Sequence, residues 1–115
     1  MGKIGNILTD TFMINGGAAI QKTRYTITSS SWSSTVDANN YYTYTVTLNP
    51  TLDTTSAPTI YLTGANDNTF YTTTEREAYA LLDQCNLTAA NTLVLYAETK
   101  PTDTFYIQVE GQLNS

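Results

Sequence analysis

Glu75 with Glu77, the triplet Asn66-Asp67-Asn68, Cys85, and the tripeptide Asn86-Leu87-Thr88 are where side-chain type and spacing could do chemistry. Paired carboxylates can share acid and base work if they converge on one substrate. Glu75 and Glu77 stand two apart in a stretch of helical period, and side chains at i and i+2 of a helix diverge. They suit a helix N-terminus better, where the macrodipole favours negative charge. The triplet offers oxygen ligands of the kind calcium accepts. It lacks the spaced carboxylates and the bidentate Glu of a calcium loop, so it reads as a polar turn.

The chain contains no histidine, which removes Ser/His and Cys/His nucleophile pairs and histidine metal sites together. Cys85 is the single cysteine. It cannot form an internal disulfide, and it reads first as a small apolar residue, with a reactive thiol as the alternative. Asn86-Leu87-Thr88 matches a glycosylation acceptor formally, but no secretion signal precedes it to give the match a use. No Gly-rich phosphate loop follows a strand. The expectation is a protein that is not an enzyme, with no cofactor and no metal.

The elements that would position any site are β-strands. At 115 residues the chain has room for one domain, and 41% of it is hydrophobic. Threonine occurs 23 times and tyrosine nine times, a composition that suits pleated, half-wet surfaces. The clearest strand is Tyr41 to Leu48. Tyr42, Tyr44, Val46 and Leu48 fall on one face as its core side, and Thr43, Thr45 and Thr47 on the other. Tyr25–Thr28 and Thr59–Thr63 alternate in the same way. Leu93–Glu98 is apolar enough to be central, and Phe105–Glu110 turns Phe105, Ile107 and Val109 inward. Asn49-Pro50, Gly64–Asn68, Ala89–Asn91 and Lys100–Asp103 read as turns.

One stretch changes period. Thr74-Glu75-Arg76-Glu77 fits a capping box. Ala78, Leu81, Leu82 and Cys85 then recur at helical spacing, which predicts a short helix from Glu75 to about Gln84. Asn86–Thr88 could add a short strand. The fold class is mostly β: a small antiparallel β-sandwich of six to seven strands with one short helix and an N-terminal arm. Residues 1–23 form the arm and residues 24–115 the β-sandwich module.

The arm is punctuated by Gly2, Gly5, Gly16 and Gly17. It reads either as a loose leader with an edge strand near Thr11–Ile14, or as a segment whose apolar residues bury against a partner. On the second reading Ile4, Ile7, Leu8, Phe12, Met13 and Ile14 make an attachment or oligomer interface. Tyr41, Tyr61, Tyr96 and Tyr106 sit out of phase with the core positions. They form a candidate surface aromatic patch, favouring a subunit interface over a glycan-stacking platform.

The charge balance narrows the partners. Five Lys and Arg against ten Asp and Glu give a net charge of −5, and Lys3, Lys22, Arg24, Arg76 and Lys100 form no stripe, so no nucleic acid is expected. Nothing approaches the roughly 20 apolar residues of a membrane span. The N-terminus carries no signal-peptide pattern.

In order, the chain presents Ser31-Trp32-Ser33, then Tyr42–Thr47, then an Ala-Pro opening a strand. A helix with Glu77-Ala78-Tyr79 follows, then Asn91–Ala97 and Lys100-Pro101-Thr102-Asp103. Over roughly residues 31–113 this order resembles a small β-module of tailed-bacteriophage virion proteins, found in head-fibre or capsid-decoration proteins and at the ends of tail appendages. The resemblance implies a non-enzymatic virion structural protein, made in the host cytoplasm without a signal peptide and anchored through its N-terminal arm. Its partners would be other virion proteins, of capsid or tail, and copies of itself, with a trimer favoured. The alternative is a receptor- or glycan-binding module of a tail appendage, with a host surface glycan as its partner.

Overall fold

The computed structural model describes residues 19–114 and, as backbone only, Phe12–Met13. The strands are β1 (Phe12–Met13), β2 (Ala19–Ile27), β3 (Tyr42–Thr47), β4 (Thr59–Thr63), β5 (Gln84–Ala89), β6 (Thr92–Ala97) and β7 (Phe105–Gln112), with one α-helix, α1 (Thr73–Tyr79), between β4 and β5. They form two antiparallel sheets, of order β1-β2-β7-β4 and β3-β6-β5. The expected mostly-β, sandwich-like architecture with one helix is therefore present. Residues 19–23, assigned to the arm on sequence, are the first half of β2, and Ile20 pairs with Gln112 of β7. Of the expected arm interface, Ile4, Ile7, Leu8 and Ile14 lie outside the described residues. Phe12 and Met13 form β1, the outer strand of its sheet, opposite Ile20 and Ala19.

Alternation decides what each sheet buries. In the four-stranded sheet Ile27, Phe105, Ile107 and Val109 point inward, and each is at most 2% exposed. Facing them are Tyr44, Val46 and Leu48 with Leu93, Leu95 and Ala97, all buried. Tyr42, the first of the expected core side, is half-buried against the same cluster. Thr45 and Thr47 on the opposite face are exposed. β6 is the central strand of its sheet and the most continuously apolar one. Among the described residues no polar or charged side chain is buried in this layer. A dry core of this kind contributes by area removed from water, roughly 25 cal/mol per Å².

Tyr44 also joins the two sheets by hydrogen bonds. Its hydroxyl accepts from the Thr28 amide at 3.0 Å and donates to the Thr26 carbonyl at 3.2 Å. The Trp32 ring meets it edge-on, with centroids 5.3 Å apart. Changing Tyr44→Phe strands a part-buried amide, which costs about 1–3 kcal/mol. Urea unfolding of this variant is expected to show a lower midpoint at unchanged slope. An unchanged midpoint would mean that the hydroxyl does not tie the sheets together.

The helix differs from the sequence expectation at both ends. Its N-cap is Thr72, not Thr74: the Thr72 hydroxyl accepts from the Glu75 amide at 3.1 Å, and Glu75 accepts from the Thr72 amide at 2.9 Å. Thr72-x-x-Glu75 and Thr74-x-x-Glu77 are equally good capping boxes, and the earlier one forms. The helix then stops at Tyr79, so Cys85 is not part of a helical stripe. Cys85 lies on β5 opposite Leu95, and Leu87 lies opposite Leu93. Pairing with β6 imposes a period of two on these residues and overrides the helical spacing. The short helix still serves the core, burying Ala78 and setting Tyr79 edge-on to Phe105 at 6.1 Å.

Candidate functional site

The outward face of the β2-β7-β4 sheet carries polar and aromatic groups side by side. Register builds it in three rows: Lys22, Glu110 and Thr59; then Arg24, Gln108 and Tyr61; then Thr26, Tyr106 and Thr63. The Tyr61 hydroxyl donates to Gln108 Oε1 at 2.8 Å. The Lys22 ammonium stands 5.9 Å from the centre of the Tyr61 ring.

The connection from β4 to α1 folds back over one end of this face and makes a cleft of about 320 Å³. Arg24 and Gln108 contribute from the strands, and Asn66, Asp67, Phe70 and Tyr71 from the connection. Three local devices hold the connection in place. The Asn66 side-chain oxygen accepts from the Asn68 amide at 2.9 Å and from the Thr69 hydroxyl at 2.8 Å, an Asx-type turn. Asp67 reaches Arg24 with 2.7 Å between Oδ1 and a guanidinium nitrogen. The chain also passes so close to Gly64 that a Cβ there would fall on the Thr69 carbonyl, a close approach only glycine permits.

The result is an aromatic ring held in water. Phe70 is 93% exposed and Tyr71 47%; single exposed apolar side chains are common on protein surfaces, and here two aromatic ones stand adjacent at the cleft. The Arg24–Asp67 pair has side chains 23% and 85% exposed. An ion pair so wet stabilises by only about 0–1 kcal/mol. Its consequence is positional: it fixes a donor and an acceptor side by side at the cleft and leaves the pair neutral as a whole. The cleft thus offers hydrogen-bond donors and acceptors beside an exposed aromatic ring.

The residues singled out from sequence fall elsewhere or divide. The four tyrosines do not form one patch. Tyr41 and Tyr96 meet edge-on at 5.9 Å on the outer face of the β3-β6-β5 sheet. Tyr61 and Tyr106 lie on the outer face of the other sheet, and the core separates the two pairs. Asp67 turns to Arg24 rather than to its asparagine neighbours, and Glu75 caps the helix. Among the described residues no three of His, Cys, Asp and Glu gather as a metal would need. Cys85 borders a second cleft of about 290 Å³ with Ile60, Tyr79 and Leu82. Burial raises its thiol pKa above the ordinary value, so the thiol stays protonated at neutral pH and is a poor nucleophile.

Sequence reasoning passed over Phe70, Tyr71, Arg24 and Gln108. A signal was there: two adjacent aromatics, Phe70-Tyr71, between a polar turn and a capping box cannot both reach a core. Comparison with protein-family models, curated proteins and solved structures finds no match to this chain. The described residues form a two-sheet antiparallel sandwich with a polar-aromatic cleft at one end of its four-stranded sheet.

Proposed function

We propose that this chain is a non-enzymatic structural protein of a bacteriophage virion, a capsid decoration or short head fibre. Its β-sandwich is displayed and its N-terminal arm attaches it to the particle or to sister copies, with a trimer favoured. One observation supports the reading above others. The segments that carry the resemblance to phage virion modules, far apart in sequence, are also ones that lock the sandwich. Trp32 packs on Tyr44, the Lys100 ammonium sits 4.9 Å from the centre of the Tyr42 ring, and Pro101 is fully buried. A module recognisable by these residues is recognisable by its fold-determining joints. The wet threonines of β3 suit a displayed surface.

The test is to locate the protein on intact particles by electron microscopy, and then to remove residues 1–17, which spares all of β2. The shortened chain is expected to keep the circular dichroism of a folded β domain and to lose its place on particles. Full occupancy by the shortened chain would remove the attachment role of the arm. Absence of the full chain from purified particles would remove the virion reading.

A further inference from the structure

We infer that the cleft between the β4–α1 connection and the β2-β7 strands is a binding site for a neutral saccharide. The inference goes beyond the structural role and stands on the cleft alone. A protein missing from particles would leave it intact, and an empty cleft would leave the structural role intact.

The geometry suits a sugar ring in three respects. A pyranose has an apolar face of C–H groups and a rim of hydroxyls that both donate and accept. Phe70 supplies an exposed ring for that apolar face, with Tyr71 beside it, and aromatic side chains give large contact area at little entropic cost. For the rim, the cleft sets an acceptor, Asp67, against a donor, Arg24, at 2.7 Å, with the amides of Asn66 and Gln108 close by. The Asn66 and Gln108 oxygens already accept within the protein, so these amides offer their NH2 groups as donors, and with Asp67 as acceptor the set matches a vicinal diol. At about 320 Å³ the cleft lies at the small end of the roughly 300–1,000 Å³ typical of ligand sites. One or two sugar rings fill such a volume.

Charge selects among saccharides. Among the described residues Arg24 is the one cationic side chain lining the cleft, it is paired with Asp67, and the chain as a whole carries −5. An acidic sugar or a phosphate would enter against that charge with no free cation in the lining to receive it. A neutral sugar incurs no such cost. The site is also held ready, because the Asn66 turn and the Gly64 approach fix the connection before anything binds, which reduces the ordering cost of binding. A protein partner would be expected to want a broader apolar patch, whereas Arg24, Asn66, Asp67 and Gln108 line the cleft beside Phe70.

The experiment uses the full chain on an array of neutral and acidic glycans. The best neutral oligosaccharide retained is then titrated into ¹⁵N-labelled protein. The expected result is selective retention of neutral glycans, with amide shifts confined to residues 62–71, Arg24 and Gln108. Phe70→Ala should weaken binding by roughly threefold to tenfold, the range expected for loss of one aromatic contact. Tyr96→Ala, on the opposite sheet, should leave binding unchanged. Because Phe70 is exposed, its removal leaves the fold intact, and unchanged amide shifts away from the connection would confirm this. Retention of no neutral glycan, preference for acidic glycans, or shifts that map outside the cleft would each overturn the assignment. So would self-association of the chain that Phe70→Ala abolishes, since Phe70 would then be a subunit contact.

Discussion

Replacing Phe105 by alanine is expected to destabilise the domain by about 3–5 kcal/mol, as large-to-small changes at buried aromatic positions do. Phe105 is 0% exposed, opens β7 and receives the edge of Tyr79 from the helix. Its strand pairs with β2 on one side and β4 on the other. A cavity at this position therefore loosens the middle of the sheet and the seat of the helix together. Against the 5–15 kcal/mol that holds a typical domain together, such a loss is severe. Thermal melting should fall by roughly 10–25 °C. The matched control is Glu110→Ala, an exposed position on the outer face of the same strand, expected to change stability by less than about 0.5 kcal/mol. If the two variants melted together, the inward and outward faces of β7 would have to be exchanged.

That contrast rests on a pattern legible in the sequence. Phe105, Ile107 and Val109 alternate with polar or amphipathic neighbours, and so do Tyr42, Tyr44, Val46 and Leu48. A period of two has one structural meaning when one face is buried, so faces, core and the centrality of β6 followed directly. The helix was legible in kind but not in extent. Two capping boxes overlap by two residues, and the apolar spacing from Ala78 to Cys85 fits a helix as well as a turn followed by a strand. Only the partner strand, with Leu93 and Leu95 opposite Leu87 and Cys85, resolves that ambiguity. The cleft was the least legible part. Arg24 and Asp67 are 43 residues apart, and no local pattern announces that they meet. The exposure of Phe70 is likewise a consequence of how the chain returns past Gly64. The tyrosines misled for a related reason: phase within a strand says which side of a sheet a residue takes, but not which of two sheets it shares with another.

Gly64→Ala is expected to dismantle the cleft while leaving every residue that lines it by side chain unchanged. A Cβ at this position would fall on the Thr69 carbonyl oxygen and lie 2.7 Å from its carbon. Those are backbone atoms, so no rotamer change relieves the clash, and the connection itself has to move. Gly111 offers the comparison. A Cβ there would meet Leu52 Cδ1 at 3.0 Å and Pro58 Cβ at 3.4 Å, side-chain atoms of which the leucine methyl can yield. Overpacking of the first kind costs about 1–3 kcal/mol, and Gly111→Ala should cost less. The more telling readout is local. In Gly64→Ala the amides of residues 65–71 should shift and exchange faster with solvent, because the Asn66 turn and the Asp67–Arg24 pair can no longer be satisfied together. The dry layer between the sheets, which Gly64 does not enter, should keep its protection. Saccharide binding should disappear although Phe70, Arg24, Asp67 and Gln108 are all still present. Retention of both the amide shifts and the binding would mean that the connection is not held by its approach to Gly64, and that the cleft owes its shape to the Arg24–Asp67 pair instead. Asp67→Asn in the Gly64→Ala background separates these two supports, since each should then show its own contribution to the order of the connection.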